Sequence, residues 1–443
     1  MSLAAIAQPG NGYLETLLAT QATPVVPAAL AALRAKGAEQ LRSLPLPTSR
    51  DEEWRFTDLA PLLRLTFSAD VAAPKLGLSD IQPWLLPEAA ASRLVFVNGA
   101  FAADLSARTL PTGVKLCTLT EALADPAIAE RLAKELGEQN GKDQNIFAAL
   151  NDALCSDGAL LFIERNQIVE TPVHLLFINA PQASAHVAAS RCLVIAERSS
   201  QATIIEDYVS LGEGAYLSSA VSEFVLGEGA QITHAKLQRE AAGAFHIAST
   251  DAALARDAQY LSATITLGAR LSRHDVRVRL AGEGAHCTVN GLNLLSSRQL
   301  GDTHSLIDHA MPHCTSAQLH KCIVDDNAHA VFNGKVRVRL DAQKTDSKQS
   351  SRNLLLSEKA RVDTKPELQI DADDVKCAHG ATVGQLDMDE VFYLQSRGLS
   401  QSASRSLLTF AFAAEIIDQL PVASLHDSLR QWVIERMHVE ILP

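Results

Sequence analysis

From Ala159 onward the chain breaks into short β-rich runs, each closed by a turn of small residues, and the pattern continues to about residue 398. Leu160–Ile163, Val173–Ile178, Leu193–Ile195 and Ala202–Ile205 are the first of these runs. Gly-Glu-Gly-Ala occurs at Gly212–Ala215, Gly227–Ala230 and Gly282–Ala285, and the related Ala255-Arg256-Asp257-Ala258 lies between the last two. Val-Arg-Val-Arg-Leu occurs twice, at Val276–Leu280 and Val336–Leu340, with strict alternation. A single short strand cannot bury its own apolar face, but stacked coils can share one continuous core. The pattern therefore predicts a solenoid of β-coils. The spacing is irregular, so a β-sandwich array is the alternative. No long amphipathic helices separate the runs, which argues against an α/β sheet.

The flanks read differently. Residues 1–157 form a mostly helical segment. Tyr13–Ala19 and Ala28–Leu44 carry aliphatic residues at helical spacing, and Pro45 and Pro47 end the second run. Ser49 to Glu52 reads as a capping box opening another helix, Asp125-Pro126 as a further helix start, and Asn145–Leu154 as the last helix. One hairpin interrupts them, with Asn98-Gly99 between Leu94–Val97 and Phe101. Residues 158–398 are the expected β core. Residues 399–443 form a helical hairpin broken at Pro421, with Leu408, Phe412 and Ile416 on one stripe and Leu425, Leu429 and Val433 on the other, within Ser424–Met437. So apolar a hairpin needs a surface to cover it: the chain's own solenoid, or another subunit. The expected class is mainly β with helical ends.

Composition narrows the function. A net charge of −12 over 443 residues lacks the basic footprint of a general nucleic-acid binder. The most apolar helical run, Leu407–Ile417, is short and holds Glu415, so no membrane span is expected. Seven scattered cysteines without a Cys-x-x-Cys pair, and no basic-then-apolar leader, fit a reducing cytoplasm. No phosphate-binding glycine loop or hydrolase motif is present, and the Gly-Glu-Gly runs read as coil turns.

Two stretches carry chemistry. Asp302–Asp326 gathers His304, Asp308, His309, His313, Cys314, His320 and Cys322, all metal-ligand types, at no standard metal spacing. A ladder of hydrogen-bonded polar residues along one solenoid face is the favoured reading. Lys344–Ser351 reads as a polar loop. In Asp373–Ser400, Cys377 and His379 lie two apart and would share one face of a strand. They could hold a metal together, the imidazole could help ionise the thiol, or the pair could be a half-buried Cys beside a hydrogen-bonded His.

The runs Lys376–Gly384 (KCAHGATVG) and Phe392–Gly398 (FYLQSRG) resemble the C-terminal motif of the SufB/SufD family of iron–sulfur cluster assembly proteins, on its SufD branch. Thr303-His304, Pro312-His313-Cys314, Phe332–Lys335, Thr345-Asp346, Asn353–Ser357 and Lys365–Leu368 extend the resemblance, which weakens toward the N-terminus. It implies a right-handed β-helix between helical ends, acting as a non-catalytic scaffold. It implies pairing with SufB through the β-helix ends, with a homodimer as the alternative for the isolated chain. It also implies docking of the ATPase SufC on the C-terminal helices, for which Leu408, Phe412, Ile416, Leu429 and Val433 are the candidate residues. Cys377 and His379 would meet iron or a nascent Fe–S cluster shared with SufB, and FADH2 is implied in the complex as an iron reductant. Nucleotide would sit on SufC, not on this chain. Two other readings stand beside this one: a SufB-like subunit accepting sulfur on Cys287 or Cys322, and a β-helix enzyme acting on polysaccharide.

Overall fold

A computed structural model describes residues 9–21, 24–139, 145–182 and 184–436. Its centre is a β-solenoid of about eight turns. Strands alternate between two sheets, so each coil adds one parallel strand to either side. The larger sheet runs through Gln201–Ser210, Gln231–Arg239, Gln259–Thr266, His286–Leu295, Thr315–Val324 and Asp346–Leu355 to Lys376–Gly384. The smaller runs through His186–Ala196, Tyr216–Leu226, Phe245–Leu254, Leu271–Leu280, Leu300–His309 and His329–Val338 to Arg361–Ile370. The solenoid expected from the short runs is the observed fold.

One line of left-handed turns runs along the coils. Asn166, Ser199, Asp257, His313 and Lys344 adopt left-handed backbone, as do Gly229 and Gly284 between them. Each donates its amide to a carbonyl of the next coil: Asp257 to Glu283, Gly284 to Pro312, His313 to Gln343, Lys344 to Asp374. The following residue is small and sealed in each coil from Ser200 through Ala230, Ala258, Ala285 and Cys314 to Thr345. The Gly-Glu-Gly-Ala and Ala-Arg-Asp-Ala runs at 227–230, 255–258 and 282–285 belong to this line, and so does Pro312-His313-Cys314. The first glycine of the third run has its own reason. A Cβ on Gly282 would lie 2.0 Å from the Arg256 amide nitrogen.

The N-terminal end of the solenoid is closed. Ser92–Val97 joins the larger sheet in parallel and is covered by antiparallel Ala100–Phe101 and Ala107–Arg108. Asn98 and Gly99 make the expected hairpin turn, both at positive φ. Val114–Thr118 closes the smaller sheet, antiparallel to Ala159–Ile163. Helices Ala28–Ser43 and Ile146–Leu154 lie on the outer face of that sheet, where Leu41, Trp54 and Phe147 pack with Val187, Leu217 and Phe245. Arg191, fully buried, ties the second helix down through Asp152, the Asn151 side chain and Glu223 (2.6 Å). The helix expected after Ser49 is only a single turn, Glu52–Trp54. The Asp51 carboxylate accepts from the Thr48 amide rather than capping a longer helix. Lys344–Ser351 is not a loop either, since strand Asp346–Leu355 pairs on both sides.

The C-terminal end has no capping strand among the described residues. Among the described residues Met388–Ser396 follows the last strand, and then the two helices of the expected hairpin, Gln401–Ile417 and Ala423–Arg436. Met437, expected in the last helix, lies outside the described residues. The helices fold back along the larger sheet, where Ile416, Ile417, Leu425, Leu429 and Val433 pack on Ile205, Leu237, Ile265, Leu292 and Ile323. Lys321 clips the layer, donating to the Phe412 carbonyl at 2.8 Å and pairing with Glu415. Ile416, Leu429 and Val433 are therefore buried by the chain's own solenoid and are withdrawn as docking residues, while Leu408 and Phe412 stay half-buried. Replacing Leu429 with Ala leaves a void in this layer, and urea unfolding should show a loss of about 2–5 kcal/mol.

His304 anchors the Glu52–Trp54 turn to the smaller sheet. Its ring lies 3.0 Å from Glu53 and 3.0 Å from Asp302, and the Asp302 carboxylate accepts from Thr57 at 2.5 Å and Arg273 at 2.7 Å. Burial disfavours the imidazolium, but Asp302 and Glu53 outweigh it and raise the pKa from 6.5 to about 9. A raised folded-state value means the stabilisation is complete below about pH 6.5 and lost as pH rises through about 9. Unfolding free energy should fall between pH 7 and 10, and His304→Gln should flatten that fall.

Candidate functional site

The last coil is where both sheets stop. Arg361–Ile370 pairs only with His329–Val338, and Lys376–Gly384 only with Asp346–Leu355. Two parallel strand edges thus lie open at one end of the molecule, each with a row of unpaired backbone groups. Burial falls away here: the residues of Lys376–Gly384 are exposed apart from half-buried Cys377. Val383 is 47% exposed, and on the next helix Met388, Phe392 and Tyr393 are 54%, 71% and 56% exposed.

Cys377 and His379 both lie on this edge strand. Cys377 is in register with Ser347, which stands on Ser316 and then Cys287. Its thiol packs against the main core cluster. Burial and the nearby Asp346 charge push the thiol pKa up. The imidazole therefore does not ionise it, and a bound metal would have to supply that pull. His379 is exposed, in register with Gln349, which donates to Gln318 at 2.8 Å. Gln349 Oε1 and Asn353 Oδ1 are buried without a protein partner just beneath the open edge. Among the described residues no three His, Cys, Asp or Glu side chains gather as a metal site. A soft thiolate and a borderline imidazole suit iron, but they are two donors and do not complete an iron shell by themselves.

The polar stretch Asp302–Asp326 does not converge on one site. His304 serves the N-terminal anchor, and Asp308 is gripped by Arg339. His313 is a turn residue, and Cys314 is sealed beneath it. His309 bonds Ser316, and His320 stacks on Phe332 at 4.3 Å. The residues are divided between the anchor, the outer face, the turn line and the interior, and so do not form the one-faced ladder that the sequence favoured. Cys287 and Cys322 are fully buried, with thiols pushed well up by burial, which removes both as accessible sulfur acceptors. Trp54, in a groove of about 570 Å³, is already covered by Arg273 at 4.0 Å and Phe147 at 5.3 Å. It offers no free face to a flavin ring, so the groove does not fit the implied FADH2.

Comparison with known proteins decides the family. Residues 177–412 match the SUF system FeS cluster assembly SufBD core domain, and residues 16–175 match the SufBD protein N-terminal region. The chain belongs to the SufBD family. It is similar to a SufBD-family iron–sulfur cluster assembly protein of Synechocystis sp., 44% identical over 90% of this chain and 89% of that one. It is 33% identical to the iron–sulfur cluster assembly protein SufD of Escherichia coli, covering 90% of each. SufD of Bacillus subtilis is 27% identical over 93% of this chain and 94% of its own. Membership sets aside the polysaccharide reading. The SufBD core match begins near the first full coils and runs into the second C-terminal helix, so the open edge with Cys377 and His379 lies within it.

The raised thiol gives a direct check. Alkylation of Cys377, followed by peptide mass spectrometry, should be slow at pH 7 and accelerate above pH 9. His379→Ala should leave that profile in place; a profile shifted upward by the substitution would restore the imidazole as an activator.

Proposed function

We propose that the chain is a non-catalytic scaffold subunit of the cytoplasmic SUF complex, joined end to end with SufB and moved by SufC. The observation that carries this reading is the pair of unpaired strand edges in the last coil, with Cys377 and His379 on one of them. A second β-helix end can supply the missing hydrogen bonds by continuing both sheets. It would also bring donors beside Cys377 and His379, which are half of a four-ligand set. Iron and sulfide are the cargo there.

The C-terminal helices link this edge to an ATPase. Helix Met388–Ser396 follows the edge strand after three residues, 385–387, so displacement of the helix pulls on the strand bearing His379. Its exposed Met388, Phe392 and Tyr393, with Leu407 on the next helix, form the outward apolar surface that the buried stripe does not. SufC docked there would couple ATP binding to the SufB contact.

Co-purification with SufB and SufC tests this. Removing the chain from Gln401 onward is a poor test, because it would strip the cover from Ile205, Leu237 and Ile265. Phe392→Asp combined with Leu407→Asp should lose SufC while keeping SufB. His379→Ala should retain both partners and lose cluster build-up, read from visible absorbance. A chain that stays alone or as a homodimer in the presence of SufB and SufC, or a His379→Ala complex that builds clusters normally, counts against the proposal.

A further inference from the structure

The two Val-Arg-Val-Arg-Leu runs have no part in the assembly reading. They lie largely on strands Leu271–Leu280 and His329–Val338, with Leu300–His309 between them. Val276, Val278, Val336 and Val338 point into the solenoid core, so the alternating arginines stand on the outer face. Arg279, Asp308 and Arg337 are in register across the three strands, and Arg339 follows in the next turn. Arg277, Arg279, Arg337 and Arg339 border one cavity of about 160 Å³.

Among the described residues four guanidinium groups meet two carboxylates there, and both carboxylates are engaged. Arg277 donates to Asp251 at 2.5 and 2.9 Å. Arg339 donates to Asp308 at 2.8 and 2.6 Å. Arg279 and Arg337 have no acidic partner among the described residues, and the Nε of each is buried without a hydrogen bond. Among the described residues that leaves two guanidinium groups without a carboxylate beside a cavity, on a chain whose net charge is −12. The fork of each guanidinium carries further donors at its tip, from which a ligand's oxygens can accept. At about 160 Å³ the cavity admits a tetrahedral oxyanion and lies below the range of about 300–1,000 Å³ typical of drug-sized ligand sites. Planar guanidinium forks match phosphoryl oxygens two at a time.

We propose that Arg279 and Arg337, on the outer face of the smaller sheet, bind a phosphoryl-class oxyanion between them. Arg277 and Arg339 complete the positive wall but are held by Asp251 and Asp308, so the ligand takes its direct hydrogen bonds from the other two. The ligand is free phosphate or the terminal phosphate of an ester.

The test titrates the full-length chain with inorganic phosphate at constant ionic strength set by chloride, following 31P line broadening. Glycerol phosphate is run in parallel. Saturable binding is expected, with affinity reduced at least about tenfold in Arg279→Gln and in Arg337→Gln. Asp308→Asn, which frees Arg339, should bind more tightly. Stronger binding of the ester assigns the site to an esterified phosphate, and stronger binding of phosphate to the free ion. The thermal midpoint of each variant in chloride alone shows that it is folded. Binding of neither probe, or equal binding by the folded Arg279→Gln and Arg337→Gln variants, overturns the proposal.

Discussion

Every coil of this protein depends on its neighbour for backbone hydrogen bonds. In a parallel ladder each strand donates and accepts on both sides, so an inner coil is satisfied only when one coil lies above and one below. That requirement explains how the two ends differ. The first coil borrows short antiparallel strands from the N-terminal segment, which close both sheets. Among the described residues the last coil borrows nothing, because the helices that follow lie on the side of the solenoid and leave its end open. An uncovered pair of parallel edges is an aggregation hazard unless a specific partner uses it. The edge is also polar on its inner side, where Gln349 and Asn353 keep unpaired acceptors. Such an end favours a partner that matches hydrogen bonds over one that merely covers apolar surface.

The interior follows from the same stacking. Residues in register lie directly over one another, so an apolar column is easily built, and a polar one must bond along its own length. Toward the middle of the solenoid Glu206 takes Tyr208 at 3.1 Å, Lys236 at 3.4 Å and His234 at 3.3 Å, and His234 reaches Tyr260 at 2.8 Å. Burial disfavours the Glu206 charge, yet Lys236 and His234 hold the carboxylate well below its usual range. Removing one partner of such a set leaves a buried charge unpaired and costs about 3–5 kcal/mol, while the intact set adds little net stability. The set therefore fixes register more than it strengthens the fold: a slip by one residue would turn every one of these side chains to the other face.

This is also where sequence reading stops. The solenoid was legible because turns with left-handed backbone select Gly, Asp or Asn, and the small residue beneath them selects Ala. The same turn was missed at Pro312-His313-Cys314 and at Lys344, where His and Lys take the left-handed position and no glycine marks it. The strand at Asp346–Leu355 was missed because its inward residues are Ser347, Gln349, Ser351 and Asn353, which imitate a loop. Polar interior columns erase the alternation that normally reveals a strand. The stripe of Ile416, Leu429 and Val433 was legible as buried, but a stripe says only that something covers it. Here the cover is the chain's own larger sheet, which is itself apolar on its outer face because the hairpin lies there.

Cys377 and His379 were found by local chemistry, and the fold gives them a meaning that spacing alone could not. On an inner strand the pair would be sealed like Cys287, with a neutral thiol out of reach of iron. On the edge strand the thiol still rests on the core, which keeps it protonated and slow to oxidise, while the imidazole stands clear of the protein. A raised thiol pKa and only two donors make the isolated chain a weak metal binder, since metal must displace the proton and find its other ligands elsewhere. Both deficits are met by one event, the arrival of another strand carrying ligands. In the proposed complex, binding of iron and joining of the two β-helix ends would then be linked, each strengthening the other by the same factor. An assembly scaffold needs that property, because a cluster held tightly by one subunit alone could not be released when the interface opens.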